Sequence, residues 1–458
     1  MELQQSSGLS KEEESQMGRK VLVIGAGGRE HAIVRQLAQS PADPVIFATP
    51  GNPGTSVLAQ NVDLDPLVPD DIVGFCLREA IDLVIIGPED PLIAGLADHL
   101  HKAGFAVFGP GAQGARLEGD KEFAKEVLAS AGVPTPHHHA FSSSRAALKH
   151  LDNTDLPVVI KACGAAQGKG VAVCSNREEA ESFIRECLDN QRFGGAGLRI
   201  LIEDCIFGPE LSVLVVTDGQ SYCMLAPSRD HKRIGEKDTG PNTGGMGAFA
   251  PVDLPPDLHA EIDTRIILPV LAELRRRDIP YRGVLYAGLM LTKSGPQVLE
   301  FNCRFGDPET QVVLPLLQGD FLELCSSTAA GKLGGYLQGL SGAGASGPGD
   351  WPGAGMTDWN KHCVVVVGAS DGYPGKYVKG KAIELPEPDE GDRWIIHAGT
   401  AYSELGLVTS GGRVLGSVGT GDSLAEARQA AYDLLNETHF EGLIYRRDIA
   451  VIGGESRG

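Results

Sequence analysis

The chain has 458 residues, a formal net charge of −20 at pH 7 and 42% hydrophobic residues. This length predicts two to four domains, and the composition is typical of a soluble globular protein. The negative charge argues against a broad nucleic-acid surface, and no apolar run of about 18 residues is present to span a membrane. The nine cysteines are dispersed without C-x-x-C spacing, which favours a reducing cytoplasm.

Residues 1–18 are polar and acidic, without the apolar core of a signal peptide, and we predict a disordered extension there. From 19 to 118, short apolar runs such as VLVIG, PVIFAT and DLVIIG alternate with helical patterns. This alternation predicts an α/β domain with a parallel sheet. Ligands bind beyond the carboxyl ends of parallel strands, where the loops GAGGRE, TPGNPG and GPEDP lie.

The first of these loops resembles a dinucleotide-binding turn but lacks two of its features. Gly25 and Gly27 fill the first two glycine positions, whereas Glu30 occupies the third. The acid expected at the end of the second strand is replaced by residues 48–50, Ala-Thr-Pro. The turn therefore does not favour NAD. The amides of Gly27 and Gly28 are placed to hold another phosphate, with a plain strand–helix turn as the alternative.

A second region, residues 119–332, begins with a helix and continues mainly as strands. Lys161 ends one strand and precedes a loop with three glycines, an arrangement suited to phosphate binding. The Walker A spacing is absent, and a glycine-rich hairpin with a solvated lysine is the alternative. Lys121, on the preceding helix, is either a second phosphate ligand or a surface lysine. Glu203 and Glu210, near a strand end and a Gly-Pro turn, are candidates for ribose or adenine binding.

The stretch VLEFNCRFGDPET carries the sharpest chemical pattern. Alternation along a strand places Glu300, Asn302 and Arg304 on one face. Two hard oxygen ligands beside bound phosphates suit Mg²⁺, and the guanidinium suits a carboxylate or phosphate. The alternative is a buried strand in which Glu300 and Arg304 satisfy each other.

The polar stretch 228–251, SRDHKRIGEKDTGPNTGGMGAFAP, is long for a loop inside an ordered domain, and such loops are usually functional. Residues 333–360 are rich in Gly, Ser and Pro, which predicts an irregular loop. Three further strand patterns and a helical pattern between 361 and 458 predict a small α+β domain.

Together these stretches resemble the phosphoribosylamine–glycine ligase family of the ATP-grasp superfamily, from about Lys20 to Ile452. DHKRIGEKDTGPNTGGMGAFAP and LEFNCRFGDPETQ carry the resemblance most specifically, and IGAGGREHA, HAGT and GGRVL agree in order. The resemblance implies an α/β protein with a parallel-sheet N-terminal (pre-ATP-grasp) domain, 19–118, and an ATP-grasp domain, 119–332. The latter would carry a flexible lid subdomain over about 136–208, and a small α+β C-terminal domain would follow.

The implied reaction joins glycine to 5-phosphoribosylamine with ATP, through glycyl phosphate, giving glycinamide ribonucleotide, ADP and phosphate in the second step of purine synthesis. By resemblance, the ATP ligands are Lys121, Lys161, Gly168, Lys169, Gly170, Glu203, Asp204, Ile206 and Glu210. The implied ligands of Mg²⁺ or Mn²⁺ are Glu300 and Asn302, and the implied catalytic residues are Arg304, Asp230 and Lys232. The implied substrate contacts are Gly27, Gly28, Arg29, Glu30, Asn52, Glu89 and Asp307.

The expected partners are small molecules only, for a cytoplasmic monomer with no nucleic-acid or membrane partner. This chain departs from the family pattern at Cys163 and Gln167 in the lid and at Arg229 before the DHKR run. Two other enzyme classes stay open at this point: another ATP-grasp ligase with different substrates, and a nicotinamide-dependent oxidoreductase. A nucleotide-binding protein without catalytic activity is also possible.

Overall fold

The computed structural model describes residues 18–164, 170–340, 352–386 and 391–451. Its N-terminal domain contains a five-stranded parallel sheet of order β3-β2-β1-β4-β5. The strands are β1 Lys20–Gly25, β2 Val45–Pro50, β3 Gln60–Asn61, β4 Leu83–Ile86 and β5 Ala106–Phe108. The helices are α1 Gly28–Leu37, α2 Thr55–Leu58, α3 Pro69–Glu79, α4 Glu89–Ile93, α5 Leu96–Lys102 and α6 Ala112–Gly119. The central strand β1 is buried along almost its whole length, as expected when helices cover both faces of a parallel sheet.

The next region begins with helix α7, Lys121–Ala131, which Asp120 caps by accepting a hydrogen bond from the Phe123 N–H. An antiparallel sheet of order β6-β9-β7-β8 follows, covered by two helices. In chain order these elements are β6 His138–Phe141, α8 Ser144–Leu151, β7 Val158–Ala162, β8 Val171–Cys174, α9 Arg177–Leu188 and β9 Ile200–Asp204. We call this unit the lid sheet. Its own small apolar core joins the helices to the strands.

A second antiparallel sheet, of order β11-β10-β16-β17, faces the cavity described below. Its elements are β10 Glu210–Thr217, β11 Tyr222–Met224, β16 Gly283–Thr292 and β17 Gly295–Asn302. The polar stretch 228–251 forms β12 Arg229–Asp230, the hairpin of β13 Arg233–Gly235 and β14 Thr239–Asn242, and β15 Gly247–Ala250. The helices that follow are α10 Pro256–Ile262, a π-turn Asp263–Ile267, α11 Leu268–Arg276, α12 Thr310–Val313 and α13 Phe321–Ala329.

The C-terminal sheet incorporates strands from the polar stretch, because its order is β12-β15-β18-β23-β20 with β25 on β18. Its helix α15, Leu424–Asn436, packs on β23 and β18. The strands are β18 His362–Ser370, β19 Ile383–Glu384, β20 Arg393–His397, β21 Thr400–Ser403, β22 Gly406–Thr409, β23 Arg413–Gly421, β24 His439–Phe440 and β25 Leu443–Ile444. The predicted α/β class and its three kinds of domain are confirmed. Among the described helices, none is long and apolar enough to cross a membrane.

One expectation is wrong in part. The stretch predicted as a loop from 333 begins with helix α14, Leu333–Leu340, and a short 3-10 turn occupies Ala354–Met356. The helix forms because Leu333, Leu337 and Leu340 recur at helical spacing and pack on the apolar core, which the many glycines around them obscured. Residues 341–351 and the predicted extension at 1–17 lie outside the described residues.

The N- and C-terminal domains meet at a buried histidine, His31, and a half-buried one, His397. The His397 N–H donates to His31 Nδ1 at 2.8 Å, so His31 must be neutral at that nitrogen. Burial lowers the pKa of His31 to about 3, with His397 and Arg35 adding to the effect, and burial lowers the pKa of His397 to about 4.

Because an unfolded histidine titrates near pH 6.5, the unfolded chain binds protons that the folded chain does not. We therefore expect the free energy of unfolding to fall as pH drops from 6.5 towards 4, by about 1.4 kcal/mol per pH unit for each fully titrating ring. Urea titrations across this range test the expectation. His31→Asn retains an acceptor without titrating and should flatten the profile, whereas the exposed His439→Asn should not. An equally steep profile in His31→Asn would contradict the assignment.

Candidate active site

A cavity of about 700 Å³ is lined by residues of the lid sheet and of the sheet that contains β10 and β17. The predicted site residues that line it are Glu89, Lys121, Lys161, Gly170, Glu203, Asp204, Ile206, Glu210, Asp230, Lys232, Glu300, Asn302, Arg304 and Asp307. The structure therefore brings together residues that span more than 200 positions of the sequence. Gly168 and Lys169 fall outside the described residues. The other predicted contacts, Gly27, Gly28, Arg29, Glu30 and Asn52, lie in or near the glycine turn and not in this lining.

Two lysines share one buried carboxylate of the lid sheet, that of Glu203. Lys161 Nζ lies 2.9 Å from Glu203 Oε2 and donates to the Leu299 carbonyl, while Lys125 Nζ lies 3.1 Å from Glu203 Oε1. Burial acts to raise the pKa of Glu203, but the two ammonium groups outweigh it, so its pKa is lowered and the group is ionised. The Glu203 side chain thus holds Lys161 at the cavity wall.

Sequence reasoning missed Lys125, although its spacing from Lys121 was a usable signal. The two lysines are one helical turn apart on α7 and both line the cavity. Burial lowers the pKa of Lys125 to about 8 against the opposing charge of Glu203. Burial also lowers the pKa of Lys121, with Glu300 opposing. A stretch that looked like an ordinary helix surface is therefore part of the cavity wall.

Lys232, just after β12, reaches the start of β10. Its Nζ lies 3.0 Å from Glu210 Oε2. Burial acts to lower the pKa of Lys232, but Glu210, Tyr286 and Glu300 outweigh it and keep the group protonated. The predicted ribose ligand and a predicted catalytic cation are thus an ion pair across the cavity.

Glu300 and Asn302 lie at the end of β17, beside a bulge opposite Gly288 and Leu289. Both line the cavity. Burial acts to raise the pKa of Glu300, but Lys232, Lys161 and Lys121 outweigh it, so its pKa is lowered. An ionised carboxylate and an amide oxygen therefore face the same space. Among the described residues, no group of three His, Cys, Asp or Glu side chains could hold a metal without further ligands.

Arg304 lies just beyond β17 and links it to the N-terminal domain. Its Nε lies 3.3 Å from Glu89 Oε2 and its Nη2 lies 2.9 Å from Glu118 Oε1. The alternative in which Glu300 and Arg304 satisfy each other is wrong, since the guanidinium pairs with these two glutamates. Burial raises the pKa of Glu118, with Arg304 opposing, whereas Arg304 and Arg29 outweigh burial at Glu89 and lower its pKa to about 2. Nothing in the sequence around Glu118 marked it.

Asp230 lies beside a second buried carboxylate, Glu309, which sequence reasoning also missed. Glu309 Oε1 accepts hydrogen bonds from the Tyr286 hydroxyl at 2.9 Å and the Ser212 hydroxyl at 3.2 Å. Burial, and then the charge of Glu309, raise the pKa of Asp230 well above its ordinary value. The buried Oδ1 of Asp230 has no hydrogen-bond partner among the described residues.

The glycine turn is closed by its own glutamate. Glu30 Oε2 accepts from the Gly27 N–H at 2.6 Å, and Glu30 Oε1 accepts from Arg29 Nε at 2.6 Å. A Cβ added to Gly87 would lie 2.1 Å from Glu30 Oε1, so the carboxylate fills the space between the loops. The Gly27 amide, which the sequence offered to a phosphate, is already bonded. This packing is a second argument against a dinucleotide at the turn.

Asn52 joins the second loop of this edge to the glycine turn and to the C-terminal domain. Its Nδ2 donates to the Ala26 carbonyl at 2.9 Å and to the His397 carbonyl at 3.0 Å. Its Oδ1 accepts from the N–H groups of Gly54 and Thr55 at 2.8 and 3.0 Å. The side-chain amide is thus committed to holding the loop, and a substrate contact by Asn52 stays a prediction.

Asp307 connects the glycine turn to the cavity. Its Oδ2 lies 3.6 Å from the position of a Cβ added to Gly27 and 2.9 Å from Arg413 Nη2 of the C-terminal domain. Burial acts to raise the pKa of Asp307, but Arg413 and Arg29 outweigh it and lower the pKa. No pattern around Arg413 predicted this contact.

Lysines on the lid sheet and on helix α7, facing a carboxylate–amide pair on a second antiparallel sheet, are the arrangement of an ATP-grasp enzyme. The chain is an ATP-dependent ligase of this class that forms carbon–nitrogen bonds. The chain belongs to the phosphoribosylglycinamide synthetase family. Models of that family's N domain, ATP-grasp (A) domain and C domain match residues 19–118, 119–310 and 363–452.

Known proteins agree with this assignment. The chain is 43% identical to a phosphoribosylamine–glycine ligase of Caldanaerobacter subterraneus over 94% of this chain and 99% of the relative. It is similar to the crystal structure of a phosphoribosylamine–glycine ligase from Thermotoga maritima, with a TM-score of 0.78, 33% identity and coverage of 94% and 99%. The biotin carboxylase domain of a Hydrogenobacter thermophilus 2-oxoglutarate carboxylase shares the fold alone, with a TM-score of 0.68, 18% identity and coverage of 94% and 92%.

Proposed function

We propose that this enzyme joins glycine to 5-phosphoribosylamine with ATP, giving glycinamide ribonucleotide, ADP and phosphate. One observation carries the proposal: a single cavity brings the cations Lys121 and Lys161, the oxygen ligands Glu300 and Asn302, and Arg304 together. Phosphoryl transfer needs positioned cations and charge neutralisation more than a covalent catalyst. The names of the relatives supply the substrate pair.

For the nucleotide, we assign the phosphates to Lys121 and Lys161 and the adenine to the strand end at 203–206. The Glu203 side chain fixes Lys161, so its part in adenine binding is assigned to the backbone of that strand end. Glu210, paired with Lys232, is assigned to the ribose. Gly168 and Lys169 retain their predicted place in the lid loop.

For a divalent ion, Mg²⁺ or Mn²⁺, the residues present fit. Glu300 is ionised, Asn302 offers an amide oxygen, and both line the cavity beside two lysines suited to phosphates. Two protein oxygens leave coordination positions for phosphate oxygens and water, which suits Mg²⁺. A bound ion would neutralise part of the phosphate charge during transfer. The neighbouring fold was solved with magnesium ADP and bicarbonate, consistent with this assignment.

The chemistry proceeds in two balanced steps. A glycine carboxylate oxygen attacks the γ-phosphorus of ATP, ADP leaves, and glycyl phosphate forms. The amine nitrogen of phosphoribosylamine then attacks the acyl carbon, phosphate leaves, and the nitrogen loses one proton. We assign Arg304, Asp230 and Lys232 to the reacting groups, since all three line the cavity and Arg304 pairs with Glu89 of the N-terminal domain.

We place phosphoribosylamine where Glu89 and Asp307 meet the glycine turn, with Gly27, Gly28, Arg29, Glu30 and Asn52 shaping that edge. Glu89 and Asp307 line the cavity, and Asp307 is adjacent to Gly27, so this edge adjoins the place proposed for the acyl group. We further propose that the enzyme acts as a cytoplasmic monomer on small molecules, without nucleic-acid or membrane partners. We also propose that the domain boundaries follow residues 118 and 332, as the sequence analysis predicts.

An ADP-release assay coupled to a dehydrogenase tests the reaction with ATP, glycine and freshly generated phosphoribosylamine. We expect ADP formation to require both co-substrates, because each must occupy the cavity for turnover. Omission of glycine and omission of the amine are separate controls, and Glu300→Gln controls for contaminating ATPase. ADP released equally without either co-substrate would exclude this ligase reaction. Release that needs another amine or carboxylate would favour a different ATP-grasp ligase.

A further inference from the structure

A guanidinium of the C-terminal domain reaches the edge of the cavity. Arg413, the first residue of β23, donates from Nη2 to Asp307 Oδ2 at 2.9 Å and from Nη1 to the Asp307 carbonyl at 2.8 Å. Nη1 also donates to the Gly244 carbonyl at 2.5 Å. One side chain thus fixes the backbone and the carboxylate of Asp307 and the carbonyl of a loop in the polar stretch.

The C-terminal domain holds that loop at a second point. The Gly244 N–H donates to the Tyr373 hydroxyl at 2.9 Å. Tyr373 is itself closely packed, because a Cβ added to Gly412 would lie 2.2 Å from its ring. A Cβ added to Gly244 would lie 2.9 Å from Arg413 Cζ, so the loop and the guanidinium are in close contact. Both backbone polar groups of Gly244 are therefore bonded to the C-terminal domain.

The loop around Gly244 also faces the cavity, on the side of Asp230 and Asp307. Thr243 and Gly244 line the cavity together with Asp230 and Asp307. A Cβ added to Gly245 would lie 2.7 Å from Asp230 Oδ1 and 2.4 Å from Pro308 Cδ, so the loop packs directly on both. A displacement of Gly244 or Asp307 would therefore move groups assigned to the substrates.

We propose that Arg413 is a positioning residue for the amine-transfer step: it holds Asp307 and the Gly244 loop in place at the phosphoribosylamine side of the cavity. This inference rests on the proposed function. The nucleotide cations lie on other elements, Lys161 on β7 and Lys121 on α7. Arg413 therefore acts on phosphoribosylamine and not on ATP. The C-terminal domain becomes part of the reaction centre, although it contributes few residues to the cavity lining.

The replacement Arg413→Lys tests this inference, because lysine keeps the charge but cannot present a planar fork to several acceptors. We expect kcat/KM for phosphoribosylamine to fall at least tenfold, and about a hundredfold in Arg413→Ala, since small misplacements of reacting groups are costly. KM for ATP and the Kd for magnesium ADP should change less than twofold. Tyr373→Phe removes only the hydroxyl that accepts from the Gly244 N–H. It should lower kcat/KM for phosphoribosylamine by a smaller factor than the Arg413 variants do.

Arg393→Lys is the matched control, since Arg393 lies in the same sheet and pairs with the exposed Glu437. It should leave all three constants unchanged. Equal losses for ATP and for the amine, or a lower Tm with an unchanged kcat/KM, would overturn the inference. The Arg413→Ala/Asp307→Ala pair adds a double-mutant cycle, in which non-additive losses are expected. Wild-type enzyme without amine-dependent turnover would refute the proposed function instead.

Discussion

Replacement of Glu300 by glutamine is expected to lower kcat by about two to three orders of magnitude, equivalent to several kcal/mol of transition-state stabilisation. The glutamine has the same shape but removes the one ionised oxygen ligand of the proposed metal site. It also removes a negative charge that faces Lys232, Lys161 and Lys121. Steady-state ADP release at saturating ATP, glycine and amine measures the effect.

The matched control is Glu384→Gln, an exposed glutamate on β19, which should retain full turnover. Circular dichroism and the thermal midpoint of Glu300→Gln should stay close to wild type, which separates lost chemistry from lost folding. Wild-type-like turnover in Glu300→Gln would show that the metal assignment is wrong.

Replacement of Glu203 by glutamine should have the largest effect on stability. The residue is 2% exposed, and its carboxylate carries the charge that offsets two buried ammonium groups, Lys161 and Lys125. Removal of one partner from such a buried cluster costs about 3–5 kcal/mol, because the remaining charges are left uncompensated. We expect a loss of this size in urea unfolding at pH 7. KM for ATP should rise at least tenfold, since Lys161 loses the group that holds it.

Lys125→Met is the comparison variant, because it leaves the Glu203–Lys161 pair intact on the same carboxylate. A smaller loss of stability and a smaller change in KM for ATP are expected there. If Glu203→Gln bound ATP as well as wild type does, Lys161 would not depend on this carboxylate for its position. The same result would weaken the assignment of Lys161 to the phosphates.

Strand β17 shows how much of the site local sequence patterns predict. Strand alternation correctly placed Glu300 and Asn302 at one cavity, because the direction of a side chain along a strand depends only on its immediate neighbours. The same pattern left Arg304 with two possible roles. The structure resolves them, since its partner Glu89 is 215 positions away in sequence and belongs to another domain.

In the glycine turn, too, the sequence predicts the local structure, whereas the tertiary structure decides the role of one side chain, Glu30. Its sequence alone indicated a strand, a tight turn and a helix, and the missing glycine and acid argued against NAD. The role of Glu30 depended on the approach of Gly87 from the next loop, where the carboxylate fills the space between the two. The helix at Leu333–Leu340 was not predicted, because its stability depends on tertiary packing. Its leucines gain stability from the core they pack against, which a glycine-rich sequence does not display.

The sequence by itself determined the α/β class, the strand–loop–helix order and the types of most residues that line the cavity. These features depend on apolar periodicity, glycine turns and short motifs, all of which act within about ten residues. The tertiary structure decided the partners of Arg304, the Lys125–Glu203–Lys161 cluster and the contact of Arg413 with Asp307, which are 106 positions apart. Ion pairs of this kind form only after packing brings distant segments together and removes water from between them. No local pattern encodes them, because each partner alone looks like an ordinary charged residue.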